Sequence, residues 1–399
     1  MNASGPEAAC SSPCGATRSS PCPSIRCALE QAADEATLRL LPGRYVGDDN
    51  VGISSGNVSS TRYGADDDPG TTPAKDGAGA SRLSILGAGP GATVVSCEGS
   101  SFDFFLVARG AFLRALANLT VTQCRGLALL NATAAPSVVV SDAHFTNHTP
   151  AKPLRANGTG IYAAGGAGAS LILERVLFSG LSALAGGALT VSGAMALIVR
   201  DTNFSFNGIA GGGGEDGGGG AIQATSAGAV YLLDVDTAEF EGCRFTGNRA
   251  QQQGGALRAG ISAASARDAT SNSNDDDGGA PQLVFRRTVF EDNGVAPGES
   301  CAADSSSCEA SGGAAFVQAA AAAFHGCTFR RNFVTAYRLS GGRGGALYVA
   351  PPTLPSSSTS TSSSSSEALS AYRVLLEDSD LSENAIVTVP DSSGGCRGG

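Results

Sequence analysis

Short apolar runs recur along the chain and end at Gly or Asn. Examples are SLILERVLF (170–178), ALIVRDTNF (196–204), YLLDVDTAEF (231–240) and QLVFRRTVF (282–290). Each run alternates or clusters strand-forming residues over about four to eight positions, which is typical of a β-strand. None of them shows the 3.6-residue apolar spacing of an amphipathic helix. The pattern therefore predicts an all-β chain of many short strands.

Two short sequence marks repeat between these runs. The first is F-x-x-N, at Phe204/Asn207, Phe245/Asn248, Phe290/Asn293 and Phe329/Asn332, with a degenerate copy at Leu381/Asn384. The second is Gly-Gly-Ala, which begins at Gly186, Gly219, Gly254, Gly312 and Gly344. The motif phenylalanines lie 41, 45 and 39 residues apart (204 to 245 to 290 to 329). This spacing indicates units of about 40 residues, each made of two half-units of about 20.

Repeated units of this kind predict a solenoid. About three short strands in about 20 residues would make one coil, with strands of successive coils about 4.8 Å apart. Phe is expected to point inward and stack on the Phe of a neighbouring unit. Asn is expected at a sharp turn in the left-handed conformation, and Gly-Gly is expected to supply positive φ beside a small Ala. The alternative interpretation is that the marks form a ligand-binding array.

A short helix is predicted ahead of the strands. In PSIRCALEQAADE (23–35), Ile25, Ala28, Leu29 and Ala32 share one helical face, and Ser24 is positioned as the N-cap. We expect this helix to cover the first coil, which would otherwise expose strand edges. Strands are then predicted in TLRLLPGRYVG (37–47), RLSILGAGPGATVVSCEG (82–99) and NLTVTQCRGLALL (118–130).

These segments resemble the opening of the pectin-lyase-like right-handed β-helices. The F-x-x-N and Gly-Gly-Ala marks are similar to the repeats of chlamydial polymorphic outer-membrane proteins and their relatives. The resemblance covers about residues 23–396, after a Cys-rich segment at 1–22. It implies a single right-handed parallel β-helix with a short N-terminal capping helix. Such proteins include polysaccharide-active enzymes and adhesive surface proteins, so the resemblance leaves the function open.

Three stretches interrupt the period, near 54–81, 261–281 and 355–367. They are rich in Ser, Thr, Gly or Asp and lack material for a core, so we expect disordered loops there. Asp66–Asp68 and Asp275–Asp277 are either solvated loop residues or weak Ca²⁺ ligands. Because Gly394-Gly395-Cys396 stands where a Gly-Gly-Ala would begin a new coil, we also expect the chain as given to stop within its solenoid.

Composition narrows the class of protein. The net charge of -10 disfavours nucleic acid and anionic membranes as partners, since both are bound by basic patches. No apolar run approaches the roughly 20 residues of a membrane-spanning helix, so no transmembrane segment is expected in this chain. The 55 Gly residues and the absence of Trp suit a fold of many tight turns.

Cysteines and glycosylation sequons indicate an extracellular or cell-surface location. The chain has 11 Cys, together with sequons at Asn2, Asn57, Asn118, Asn131, Asn147, Asn157 and Asn203. The opening MNASGPEAACSSPC shows neither the basic start nor the apolar stretch of a signal peptide. The alternatives are therefore a removed or missed leader, or an intracellular chain whose sequons arise by chance.

Cysteine positions suggest several disulfides. Cys10, Cys14, Cys22 and Cys27 are expected to form two bridges that fix the predicted helix, and Cys301 and Cys308 a third. Cys97 and Cys124 would meet if they lie on adjacent coils. Cys243 and Cys327 would lie four coils apart in the proposed register, roughly 19 Å, which is too far for a bridge.

No catalytic residue, cofactor site or metal site is predicted. Polysaccharide hydrolysis needs paired carboxylates on rigid strands, whereas the Asp runs lie in the expected loops. His144, His148 and His325 are expected to be structural, and GGGGEDGGGG (211–220) a flexible corner. Arg286/Arg287 and Arg330/Arg331 either lie on a solvated strand face or hold an acidic glycan.

These observations favour a non-catalytic extracellular or cell-surface protein. It would present loops and glycans for adhesion or matrix contact, with glycans or cell-surface and matrix proteins as its partners. A polysaccharide lyase or hydrolase is one alternative. The other is a sensor or spacer segment of a larger receptor-like chain.

Overall fold

The structure is a computed structural model. It describes residue 14 and residues 20–54, 82–100, 104–109, 112–130, 137–148, 160–183, 187–209, 227–260, 282–296, 310–318, 321–337, 342–350 and 374–389. The predicted insertions at 261–281 and 355–367, and nearly all of 54–81, lie outside these ranges, as do both acidic runs, GGGGEDGGGG and Gly394–Cys396.

One helix and many short strands make up the described chain. The helix is α1 Ile25–Glu30. The first half of the chain contains strands β1 Thr37–Arg39, β2 Gly43–Val46, β3 Ile53–Ser54, β4 Leu83–Leu86, β5 Thr93–Ser96, β6 Phe104–Arg109, β7 Leu113–Thr122, β8 Arg125–Leu130, β9 Val138–His148, β10 Ile161–Ala164, β11 Ala169–Glu174, β12 Leu177–Ala183, β13 Leu189–Ser192, β14 Met195–Arg200, β15 Asn203–Ser205 and β16 Gly208–Ile209. The second half contains β17 Val230–Leu233, β18 Thr237–Glu241, β19 Arg244–Thr246, β20 Arg249–Ala250, β21 Leu257–Gly260, β22 Gln282–Arg286, β23 Val289–Glu291, β24 Gly294–Val295, β25 Ala310–Ser311, β26 Ala315–Gln318, β27 Ala321–His325, β28 Thr328–Arg330, β29 Phe333–Tyr337, β30 Gly342–Arg343, β31 Leu347–Ala350, β32 Val374–Glu377, β33 Asp380–Ser382 and β34 Ala385–Val389.

The all-β prediction is confirmed, and the described strand pairs are parallel. They form a 23-stranded sheet, a nine-stranded sheet and a two-stranded sheet. Successive strands of the nine-stranded sheet are separated in sequence by strands of the large sheet. The chain therefore alternates repeatedly between the two sheets. This arrangement is compatible with a parallel β-helix, or solenoid.

Most strands align in four columns, while β25 and β30 pair with each other in the two-stranded sheet. In the last coils, β18, β22, β27 and β32 form the first column, and β19, β23, β28 and β33 the second. The third column contains β20, β24, β29 and β34, and the fourth is the nine-stranded sheet. One coil is the chain from a first-column strand up to the next one. The predicted runs at 231–240 and 282–290 each span two columns and the corner between them.

The predicted coil register is wrong. Phe204, Phe245, Phe290 and Phe329 are direct partners on paired strands, so each F-x-x-N unit is one coil and not two. The two marks are different corners of the same coil, which is why they alternate along the sequence. The shortest coil at this column runs from Val121 to Phe145, and the coils that follow Phe204 all contain additional chain.

The N-terminal helix is confirmed, with its cap. The Ser24 hydroxyl accepts a hydrogen bond from the Cys27 backbone N–H at 3.2 Å. Ile25 is buried and belongs to the core cluster that continues through the coils as far as Ala346. Cys27 is buried instead of Ala28, while Leu29 packs partly buried against the same core. The helix thus extends the core beyond the first strands.

Candidate functional site: repeat marks and outer faces

The motif phenylalanines form a continuous buried stack across the paired parallel strands, as predicted. Neighbouring rings are nearly parallel, and their centroids are 4.6 Å apart for Phe204 and Phe245, 4.8 Å for Phe245 and Phe290, and 4.7 Å for Phe290 and Phe329. All four side chains are fully buried. A second stack of Phe240, Phe285 and Phe324 meets the first at tilted or edge-on angles. Sequence analysis missed this second stack.

The motif asparagines form a buried hydrogen-bond ladder. The Asn248 Nδ2 donates to the Asn293 Oδ1 at 2.9 Å and to the Phe204 carbonyl oxygen at 2.9 Å. The Asn248 Oδ1 in turn accepts from the backbone N–H and the Nδ2 of Asn207. The same pattern continues through Asn332 to Asn384. Each amide is therefore satisfied by the equivalent residue of a neighbouring coil.

The prediction that these asparagines adopt the left-handed conformation is wrong. Positive φ falls on the preceding residue of each motif, at Phe206, Gly247, Asp292, Arg331 and Glu383. That residue turns the corner and leaves the Asn facing inward, where its amide can reach the neighbouring coil. The corner residue varies widely in type, so the F-x-x-N letters do not reveal it.

Gly-Gly-Ala plays two roles that sequence analysis merged into one. The first glycine has positive φ, as predicted, at Gly254, Gly312 and Gly344. The second glycine is required by close backbone approach: a Cβ on Gly255 would lie 2.0 Å from the Gly313 carbonyl oxygen. Ala256 is fully buried beside it. Gly186 and Gly219 lie outside the described residues.

Charged side chains on the outer face of the large sheet pair between coils. Arg286 Nε lies 3.2 Å from Glu239 Oε1, and Arg287 contacts Glu241. Arg331 bonds Glu291 at 2.7 Å and Asp292 at 2.8 Å, and Arg330 lies 3.7 Å from Glu383. The two predicted Arg pairs therefore belong to a solvated face whose charges are matched by neighbouring coils.

Guanidinium partners lower the pKa of two carboxyl groups on the large sheet, those of Asp142 and Asp292. Arg175 donates two hydrogen bonds of 2.7 Å to Asp142, which lower the pKa of that carboxyl below its ordinary value. Hydrogen bonds from Arg331 lower the pKa of Asp292 in the same way. These shifts are opposite in direction to the one that a general acid needs.

The histidines occupy separate places. His325 Nδ1 lies 2.9 Å from Glu377 Oε2 on the next coil. His144 is half-buried in β9, and burial lowers its pKa. The side chain of His148 lies outside the described residues. In the described ranges, no group of three or more His, Cys, Asp or Glu side chains is placed to hold a metal ion.

An arginine and aromatic stripe on the nine-stranded sheet was not predicted. The Arg258 guanidinium lies 5.3 Å from the Tyr231 ring centroid and 5.8 Å from that of Phe316. The Phe316 and Tyr348 centroids are 5.6 Å apart, and Arg343 donates to the Tyr348 hydroxyl at 2.8 Å. Four of these residues occupy the same register position, two after the Ala of each mark or its equivalent. Aligning the repeats on that Ala would have shown the stripe.

Two disulfides lie among the described residues. Cys14–Cys22 is one of the expected bridges near the helix, and Cys27 is also disulfide-bonded. Cys97–Cys124 joins adjacent coils, as expected. Cys10, Cys301 and Cys308 lie outside the described residues.

Cys243 and Cys327 are buried free thiols, as their predicted separation required. The predicted distance was wrong, because Arg244 pairs with Val289 and Val289 pairs with Thr328. The two cysteines are thus two coils apart, about 10 Å, which still exceeds the roughly 7 Å limit for a bridge. Burial raises the pKa of Cys243 to about 12.

Sequon asparagines reach the surface in two places. Asn203, on β15, and Asn147, near the end of β9, are exposed, and Asn118 is partly exposed. Asn2, Asn57, Asn131 and Asn157 lie outside the described residues. Whether these sites carry glycans stays a prediction.

Comparison with known proteins adds no relative. No protein-family model, no curated protein and no solved structure matches this chain. In the described part of the chain, no helix is long and apolar enough to cross a membrane.

Proposed function

We propose that this protein is a non-catalytic extracellular or cell-surface scaffold that presents loops and glycans for adhesion or matrix contact. The observation that carries the proposal is the constancy of strand register across coils of very different length. Equivalent positions are 26 residues apart between Leu181 and Asn207, and 52 apart between Asn332 and Asn384. Paired strands nevertheless keep the motif columns aligned.

The additional chain is confined to two of the connections in each coil. From β14 onward, two residues join each first-column strand to the second column, and two join the second to the third. Longer connections occur only before and after the strand of the nine-stranded sheet, as in 210–226 and 261–281. Chain added there does not disturb the Phe stacks or the Asn ladder. Such a body suits loop presentation on a rigid support.

The outer face supports a non-catalytic assignment. Its Arg and Glu side chains pair between coils, and the carboxyl groups of Asp142 and Asp292 have lowered pKa values. A glycoside hydrolase needs one carboxyl whose pKa is raised so that it can donate a proton.

Disulfides and exposed sequons support the extracellular location. Cys14–Cys22 and Cys97–Cys124 are bridges of the kind that persist in oxidising compartments. Exposed Asn147 and Asn203 offer attachment points for glycans. We include in the proposal a right-handed β-helix related to the pectin-lyase-like and polymorphic outer-membrane proteins, since crossovers between parallel strands are almost always right-handed.

The test compares the parent protein with loop-deleted variants. Variants lacking 264–278 or 355–367 are made in a secretory host and assayed on arrays of glycans and immobilised matrix proteins. We expect unchanged thermal unfolding and loss of a binding signal that the parent shows. The proposal fails if deletion leaves binding intact, if the parent binds nothing, or if the protein releases unsaturated sugars or reducing ends from pectin, pectate or alginate.

A further inference from the structure

One corner of the coils carries a strained and exposed phenylalanine. The residues that turn this corner have positive φ, and strand pairing aligns them in one row, which contains Gln123, Asn147, Gly180, Phe206, Gly247, Asp292, Arg331 and Glu383. Among these described residues, Phe206 is the one with an apolar side chain, and it is 70% exposed. A bulky residue with positive φ is an outlier, and such strain persists mainly where function keeps the residue in place.

The neighbours of Phe206 in this row leave its ring accessible. Gly180 and Gly247 occupy the same corner on the two adjacent coils. The ring lies over Gly247, because a Cβ on that glycine would be 2.8 Å from two of the ring carbons. Neither glycine has a side chain that could cover the ring. An aromatic face that is open in this way can stack against the C–H groups of a sugar, which the negative face of the ring attracts.

Asn147 offers an attachment point for such a sugar in the same row. It is exposed, and it is the asparagine of the sequon Asn147-His148-Thr149. Its side chain extends along the row towards Phe206, because a Cβ on Gly180 would lie 3.3 Å from the Asn147 Oδ1. The carboxamide therefore lies beside Gly180, whose coil is only about 4.8 Å from that of Phe206. A glycan joined to this amide begins next to the exposed ring.

The other exposed sequon asparagine near Phe206 is less well placed. Asn203 lies three positions before Phe206 on the same coil, about 10 Å along the strand. Its partners on the adjacent coils are Leu177 and Arg244, which do not belong to the corner row. Asn203 therefore provides a matched control for Asn147.

We propose that Phe206 is a stacking platform for an N-linked glycan on Asn147, whose inner N-acetylglucosamine units pack on the exposed ring. In the attachment step, the Asn147 Nδ2 forms a bond to C1 of the first N-acetylglucosamine of a lipid-diphosphate-linked oligosaccharide. The amide nitrogen loses one proton, and the lipid diphosphate leaves with the electrons of the C1–O bond. The inference rests on the secretory location in the proposed function. It adds that this glycan is held against the coils.

The first test measures the exposure of Phe206. Two matched variants each remove a sequon and keep its asparagine: Thr149→Ala for Asn147 and Ser205→Ala for Asn203. Full-length proteins from a secretory host are mapped for glycan occupancy and oxidised with hydroxyl radicals, and mass spectrometry gives the rate of Phe206 oxidation. We expect an occupied Asn147 in the parent and oxidation of Phe206 at least about threefold faster in Thr149→Ala, since stacking covers the ring face. Ser205→Ala should oxidise at the parent rate.

The second test couples the glycan to the ring. Thr149→Ala should lower the midpoint of thermal unfolding by at least about 1 °C, and by less than half as much when Phe206→Ser is also present. Phe206→Ser replaces an exposed side chain, so the variant should fold. Leu41, an exposed apolar side chain near the N-terminal end, is the internal reference, and its oxidation should be the same in all variants.

Three results would overturn the proposal: an unoccupied Asn147, equal oxidation of Phe206 with and without the Asn147 sequon, or equal stability losses with Phe206 and with Ser at position 206. Protection of Phe206 that persists in Thr149→Ala and grows with protein concentration would identify a second copy as its cover and would also overturn it. The proposed function is tested separately, by the array binding of loop-deleted variants, so the two failures are distinguishable.

Discussion

At the residue scale, the ladder asparagines explain why F-x-x-N repeats. The backbone N–H groups at this corner point along the stack of coils, and a side-chain amide supplies both an acceptor and donors at the right reach. In Asn248 and Asn293 the amide bonds the equivalent residue of the next coil and a Phe carbonyl of the coil before. The ladder forms only because an equivalent Asn lies on each neighbouring coil.

Removing one ladder amide should be costly. Asn248→Ala leaves the Asn207 backbone N–H and the Phe204 carbonyl oxygen buried without this partner. We expect the free energy of unfolding to fall by about 2–4 kcal/mol, since each unsatisfied buried group costs about 1–3 kcal/mol. Denaturant unfolding of unglycosylated protein measures it. Exposed Asn203→Ala is the control, with an expected change within about 0.5 kcal/mol; equal effects would contradict the buried ladder.

The second glycine of Gly-Gly-Ala should tolerate no side chain. In Gly255→Ala the new Cβ would meet the Gly313 carbonyl oxygen at 2.0 Å, so neighbouring coils must separate. We expect a loss of at least about 3 kcal/mol or failure to fold, because backbone atoms cannot move aside as side chains do. In Gly260→Ala the nearest atom is 3.8 Å away, and stability should change by less than about 1 kcal/mol. If Gly255→Ala lowered stability as little as Gly260→Ala, the close approach of Gly255 to the Gly313 carbonyl oxygen would be contradicted.

Cys243 should make stability depend on pH in the alkaline range. Folding raises its pKa from an ordinary 9.0 to about 12, so the unfolded chain loses the thiol proton first. The stabilisation is complete below pH 9 and is lost as pH rises towards 12, by up to about 1.4 kcal/mol per pH unit. Cys243→Thr matches Thr202 and Thr288 at this corner and should remove that part of the slope. Unfolding at several pH values tests it, and identical slopes for parent and variant would refute the burial of this thiol.

At the element scale, strands and corners are encoded locally, whereas the coil is not. The apolar runs predicted strands correctly, and Ser24 predicted the start of α1. The length of a coil depends on which strand pairs with which, and added chain in the connections hid the minimal repeat, which is the distance from Val121 to Phe145. Spacings near 40 therefore suggested two coils where there is one. The ion pairs and the arginine and aromatic stripe were equally hidden, because they join residues that only this register brings together.

The Phe stack predicts how much a single ring contributes to stability. Phe245 lies between Phe204 and Phe290, at centroid distances of 4.6 and 4.8 Å. Phe245→Ala should lower the free energy of unfolding by about 3–5 kcal/mol, the usual range for a buried Phe. Phe206, two residues after Phe204, is 70% exposed, and Phe206→Ala should cost less than about 1 kcal/mol. Thermal or denaturant unfolding measures both changes in stability. If Phe245→Ala left the free energy of unfolding almost unchanged, the rings would not be stacked in the core.

At the scale of the whole molecule, the described strands stack in parallel columns, an arrangement compatible with a parallel β-helix. Internal columns of Phe, Asn and Gly hold the register, and charged side chains on the outer face pair between coils. The same columns support the proposed function. Connections vary in length without disturbing the Phe stacks or the Asn ladder, because they lie before and after the strand of the nine-stranded sheet.

The measurement that tests the one-coil register most directly is disulfide trapping between outward positions. Ser205 and Thr246 are direct partners on neighbouring coils, about 4.8 Å apart, whereas Ser205 and Glu291 are two coils apart, about 10 Å. Ser205→Cys with Thr246→Cys should form a bridge, detected by peptide mapping after mild oxidation, because the separation falls within the usual disulfide range. Ser205→Cys with Glu291→Cys should stay reduced. A bridge in the second pair and none in the first would contradict the register, and with it the assignment of one coil to each F-x-x-N unit.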